Sequence, residues 1–209
     1  MPGSTVPPNP QTRRGKRAAE TRKAILKSGL ELFEKKGFDS VSVAEITRLA
    51  GVAKGSFYTH FDTKSDLIVA EFWLIDKYYE EYSRRNLPRY KSAEEKLLAF
   101  TRAQMRYVRD TVGNAKLKIL YSNQTLESGS KKVITNKDRQ WHKIIRAIIA
   151  EGQEAGEFRR DLDAERLTEL FNRTTRGVFL DWCIGDAGFD LLEEGVAVMR
   201  DWALHALRC

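Results

Sequence analysis

Within the stretch "VSVAEITRLAGVAKGSFYTHF", Val41 to Phe61, hydroxyls, a cation and aromatic rings gather on a run too short to be a core helix. Lys54, Ser56, Tyr58, Thr59 and His60 fall opposite Phe57 and Phe61, which recur at i and i+4 and make its one apolar face. Ammonium and hydroxyl groups bind phosphate oxygens, and aromatic or methyl groups pack on thymine methyls. That is the chemistry of recognition. The residues of catalysis are missing: no HExxH, GxSxG, P-loop or Cys/His ligand cluster occurs, and "GVAKGS" lacks the ending of a phosphate loop. The chain is therefore expected not to be an enzyme and to carry no metal or cofactor.

Such a face needs a frame, and the flanking residues supply one. Ser42 and Glu45 form an S-x-x-E capping box, with Val41 and Ile46 placed as a hydrophobic staple. They predict a helix from Val43 through Leu49 and Ala50, ended by Gly51 at positive φ, with Val52 turned inward. The chain restarts near Lys54 and stops near His60. Two short helices joined by a tight glycine-containing turn match the helix-turn-helix, whose second helix lies in the DNA major groove. Before them, a helix from about Ala18 carries the stripe Ile25, Leu26, Gly29, Leu32 and Phe33. Gly37 is read as its left-handed C′ residue, with Phe38 folding back on the last turn. After them, Asp62 or Thr63 caps a long helix, with Asp66 completing a second box, and Leu87-Pro88 ends it.

The prolines decide the fold class. Of five, four lie in the first ten residues and the fifth is Pro88, so two long tracts are proline-free. Helices gain from that absence, since an internal proline costs ~3 kcal/mol. Stripes of period 3.6 recur while period-two alternation is scarce. The reading is all-α, with further helices over 91–110, 115–127, 131–155, 163–184 and 190–207, and a break at Ser128-Gly129-Ser130. Residues 1–17 are Pro/Gly/Ser-rich, then basic, and are expected to form a disordered arm. Arg13, Arg14, Lys16 and Arg17 in it suit phosphates or a minor groove. Residues 18–65 make the DNA-binding domain (helix-turn-helix 42–61) and residues 66–209 a second helical domain. The net charge of +7 is too modest to prove a polyanionic partner. No apolar run approaches the ~20 residues of a membrane span. The lack of a leader-like segment and of a disulfide framework in the two cysteines predicts a cytoplasmic setting.

The run "AAETRKAILKSGLELFEKKGFDSVSVAEITRLAGVAKGSFYTHFDTKSDL" resembles the N-terminal domain of the TetR family of bacterial transcriptional regulators, most specifically over "GVAKGSFYTHFDTKSDL". "EGQEAGEFRRDLD" is similar to members near the end of their seventh helix. The resemblance implies DNA contacts at Ser42, Lys54, Gly55, Ser56, Tyr58, Thr59, His60 and Lys64. Lys64 would meet a phosphate at the start of the fourth helix. Ala44 stands where some members hold a base-reading arginine and cannot serve so here.

The same resemblance implies a symmetric dimer on a palindromic operator, with pairing through the last two helices. These helices are apolar on two sides, and Leu170, Thr174, Val178, Val196, Met199 and Ala203 are the candidate interface. It also implies a pocket for a small apolar or aromatic ligand, with Trp73, Phe100, Met105, Tyr121, Trp141, Phe179 and Trp182 as candidate lining. Cys183 is read as a buried structural residue in preference to a thiol switch. The expected function is a repressor released by that ligand. The other reading kept open is a DNA-binding protein that senses nothing, acting constitutively or organising chromosomes.

Overall fold

The computed structural model describes residues 12–126 and 132–208. Among them the chain is helical throughout, and the sole β-type pairing is a bridge between Phe158 and Arg208. The α-helices are α1 (Arg13–Lys36), α2 (Val43–Leu49), α3 (Lys54–Tyr58), α4 (Ser65–Asn86), α5 (Ala93–Tyr107), α6 (Asn114–Leu126), α7 (Gln140–Ala155), α8 (Ala164–Ile184) and α9 (Glu193–Val198). The chain divides into two compact units, one ending at Glu71 and the other beginning at Phe72, so the division falls inside α4.

In the first unit α1 starts earlier than expected. Thr12 is its N-cap and accepts from the Gly15 N–H, which places Arg13, Arg14, Lys16 and Arg17 in the helix and not in an arm. The rest of that arm lies outside the described residues. At the other end Gly37 has the required positive φ (80°), but its ψ of 153° is outside the left-handed helical region. Its N–H donates to the Phe33 carbonyl, and the Phe38 ring packs at a tilt on Phe33, 4.9 Å between centroids. Ile25, Leu32, Phe33, Val41, Ile46, Phe57, Phe61 and Leu67 form the core. α1 can lie against the start of α4 because residue 29 is glycine: a Cβ there would come within 2.3 Å of a Leu67 methyl.

In the second unit the capping box of Ser42 and Glu45 has a twin, Ser92 with Glu95, which starts α5. Two expected helices differ from the sequence reading. The segment Lys132–Arg139 is a loop, and the α7 helix begins only at Gln140. Side chains compete for the loop's backbone: Gln124 Oε1, on α6, accepts from Val133 N (2.6 Å), and Asn136 Oδ1, within the loop, accepts from Asp138 N. The last helix is also not continuous. After α9 it widens into a π-helical stretch, Met199–Leu204, and closes in a 3-10 turn, His205–Leu207. No helix among the described residues is long and apolar enough to cross a membrane.

Candidate nucleic-acid interface

α2 is built by its cap. Ser42 Oγ accepts from the Glu45 N–H (3.2 Å), and the Glu45 carboxylate accepts from the Ser42 N–H (3.0 Å) and from Lys36 Nζ (3.0 Å). These donors, the Ser42 amide first, hold the Glu45 carboxyl down at about 2. Gly51 then turns the chain at φ 68°, where an L side chain would be strained. Val52 N–H donates back to the Thr47 carbonyl across the turn.

α3 is held from one side only. Phe57 is fully buried, with Phe61 at 5.7 Å between ring centroids, and the Arg22 guanidinium covers the Phe61 ring at 4.9 Å. The opposite side is bare: Lys54, Gly55, Tyr58 and Thr59 are exposed, and Ser56 and His60 are half-buried. Tyr58 leaves 55% of its surface in solvent, a high figure for a ring so close to a packed core. A Cβ at Gly55 would meet nothing within 4 Å, so another molecule's backbone can approach there. His60 is pushed toward the neutral form, by burial first and then by Arg22. It offers an uncharged imidazole, and the cation of this face is Lys54.

Of the expected contact residues, the structure brings Ser42, Lys54, Gly55, Ser56, Tyr58, Thr59 and His60 to α2, α3 and their ends. Lys64 stands apart. Its ammonium donates to the carbonyls of Phe38 (2.7 Å), Val41 (3.1 Å) and Asp39 (3.4 Å) and lies 4.3 Å over the Phe38 ring. All three N–H donors are committed inside the fold, so the expectation of a free phosphate-binding cation is corrected to a tie across the α1–α2 loop. The basic cluster that the sequence reading placed in an arm is at the front of α1. Arg13, Arg14, Lys16 and Arg17 are exposed, with no ion pair among the described residues, and that helix has no acid in its first turn.

Two family models match this chain: "Bacterial regulatory proteins, tetR family" over residues 25–70, and "Tetracyclin repressor-like, C-terminal domain" over residues 90–179. Together they span well over half of it. The chain belongs to the TetR family. This TetR-family chain is 26% identical over 201 residues to the HTH-type transcriptional regulator TtgR of Pseudomonas putida, covering 91% of this chain and 93% of that one. It is 45% identical to the regulator AcrR of Shigella flexneri over 60 residues, 29% of this chain and 27% of AcrR. Its fold matches Thermus thermophilus FadR, solved with lauroyl-CoA, at a TM-score of 0.73 and 21% identity, over 90% of this chain and 95% of that one. It is a DNA-binding transcription regulator and not an enzyme.

In the regulator's second unit a cavity of about 40 Å³ lies between α4, α5, α6, α7 and α8. Of the seven candidate lining residues, Tyr121, Trp141 and Phe179 reach it. The other four do not. Phe100 packs on Tyr79, Met105 lies under Gly195, and Trp182 ties its indole N–H to the Phe189 carbonyl, while Trp73 is 42% exposed with the Arg139 guanidinium over its ring. The lining that sequence did not single out includes Phe72, Gln104, Arg139 and Arg176, with Tyr79 and several aliphatic side chains beside them. Arg139 is buried and forked on Asp76 (2.9 to 3.2 Å), and it also donates to the Phe72 carbonyl, both acceptors being on α4. Cys183 is buried, and burial pushes its thiol up to about 11, so it carries little thiolate at neutral pH.

The pairing candidates also separate. Leu170 and Thr174 are surface residues, and Val178 and Ala203 floor a groove on α8 and the C-terminal segment. Val196 and Met199 are corrected: both are buried within the single chain, with Met199 Sδ accepting from Thr175 Oγ1. The large apolar groups left in solvent there are Leu180, Ile184 and Trp202, the last 75% exposed.

Proposed function

We propose that this regulator is a repressor that binds a palindromic DNA site as a homodimer and leaves it when a small ligand enters the second unit. The observation that carries the DNA contact is Tyr58, exposed beside Lys54, Ser56 and Thr59 on a helix whose opposite face is anchored by buried Phe57. A helix of that length reads few base pairs, and a second copy doubles the site. Lys54 and Ser56 meet phosphates, while Tyr58 packs on a phosphate or thymine methyl. The groove on α8 with Trp202 favours a second copy of the chain as its occupant. Arg139 gives the cavity a handle on α4, because a ligand displacing it loosens its bonds to Asp76 and Phe72. The TetR-family relatives named as regulators and repressors support the same reading.

The test is selection of genomic fragments by the purified protein at fixed salt, with Tyr58→Ala beside it. The expected result is enrichment of one palindrome, with affinity reduced at least about ten-fold in the variant at unchanged melting temperature. Sequence-blind retention by both proteins overturns the assignment and favours a chromosome-organising role.

A further inference from the structure

The cavity holds two buried polar groups with nothing to bond. Gln104 is 1% exposed, and its Oε1 has no partner; nor does the side chain make any other hydrogen bond among the described residues. Trp141 is 8% exposed, and its indole N–H is likewise unpartnered. Both line this cavity, one an amide that can accept or donate and the other a pure donor. Leaving such groups unpaired in the interior costs stability, so the pair is a standing demand for a guest. Apart from two arginines the remaining wall is apolar, with Phe72, Tyr79, Tyr121 and Phe179 as its aromatic members beside aliphatic side chains. At its edge Arg176 is half-buried with no hydrogen bond or ion pair to its guanidinium among the described residues, unlike Arg139, which Asp76 already neutralises.

Resting on the inducer reading above, we infer that the ligand is a small aromatic carboxylic acid bearing a ring hydroxyl. The ring lies among the aromatic side chains, its carboxylate pairs with Arg176, and its hydroxyl donates to Gln104 Oε1 while accepting from Trp141 Nε1. One hydroxyl can do both, having one donor and two acceptor sites. Burial already disfavours the charged form of Arg176, so a carboxylate there relieves a penalty that the ligand-free protein bears. The cavity is too small for such a guest as it stands and must widen on binding, since ligand sites run to ~300–1,000 Å³. Ile134 and Arg139 are non-helical members of the wall, and Ile134 is on the stretch that Gln124 restrains through the Val133 and Ile134 N–H groups.

The test is calorimetric titration of the full chain with 4-hydroxybenzoate, benzoate, phenol and decanoate, with melting temperatures alongside. The acid with the hydroxyl is expected to bind, and benzoate and phenol, each lacking one group, at least about ten-fold more weakly. Arg176→Gln and Trp141→Phe should each weaken 4-hydroxybenzoate by a similar factor. Gln104→Leu should abolish the preference over benzoate while raising the melting temperature of the ligand-free protein, because it removes an unpaired amide. Absence of binding by 4-hydroxybenzoate, tighter binding of decanoate, or a lowered melting temperature for Gln104→Leu overturns the assignment; the last would mean a water network that the amide stabilises. Binding without release of DNA supports the ligand class and sinks the inducer role. Retention of a palindrome with no acid bound sinks the ligand class and leaves the DNA reading standing.

Discussion

Two charged residues near the recognition helix act on the fold before they act on any partner. Glu45 has its folded pKa near 2, below the ordinary 4.5, so its contribution to stability is complete above about pH 4.5 and is lost as pH falls toward 2. The first unit is expected to loosen over that window at α2, followed by amide exchange. Glu45→Gln should flatten the pH dependence, and an unchanged acid transition would sink the assignment. Lys64 belongs to the same scale. Lys64→Met removes three donors from the carbonyls of Phe38, Asp39 and Val41, and about 2 kcal/mol of stability is expected to go with them. A variant that melts as the parent does, yet binds DNA less well, would return Lys64 to the phosphate-contact role. Its true partners lie 23 to 26 residues away, which is why spacing around the motif could not reveal them.

At the scale of elements, α1 carries the physical oddity. Four basic residues crowd its first turn and a half, where the helix dipole is already positive, each at a cost of ~0.3–1 kcal/mol. A phosphate backbone reverses that sign. Replacing Arg13, Arg14, Lys16 and Arg17 by Gln should reduce the slope of log affinity against log salt by ~0.9 for each phosphate no longer neutralised, at equal or better thermal stability. A slope that does not move means the cluster is a solvated helix start. The same contrast explains how much was readable. Both helices of the helix-turn-helix, the Ser42–Glu45 cap and the Gly51 turn are decided by neighbours within a few residues, and sequence reasoning reaches them. The loop Lys132–Arg139 reads as helix in sequence because its apolar spacing allows one. Its conformation is set by Gln124 on α6 and Asp76 on α4, which no local pattern contains. The cavity is half legible for a related reason: aromatic residues at helical spacing are indistinguishable from core until the helices are placed. Trp182 and Phe100 are core, and the polar members Gln104, Arg139 and Arg176 give no periodic signal.

For the whole molecule the deciding question is what covers the apolar side of α8. Sequence says that the last helices have two apolar sides but not which side turns inward. Val196 and Met199 face the core of their own chain, and Leu180, Ile184 and Trp202 face solvent. In the homodimer proposed above, a Trp 75% exposed beside Gly177, Ala203 and Ala206 would make an isologous contact: the knob and the small-residue groove are on one surface, so a two-fold axis would let each copy fill the other. These small residues let the backbones approach, and burying the ring then contributes more than any polar pair on that face. Trp202→Glu should therefore yield a folded monomer by light scattering, with operator affinity collapsing because two recognition helices no longer bind as one. Met199→Ala should do the reverse, losing ~2–5 kcal/mol of stability to a cavity while still dimerising at temperatures where it is folded. If Trp202→Glu stays dimeric and Met199→Ala falls apart into folded monomers, the inward and outward sides of this segment are exchanged, and pairing runs through the face assigned here to the core.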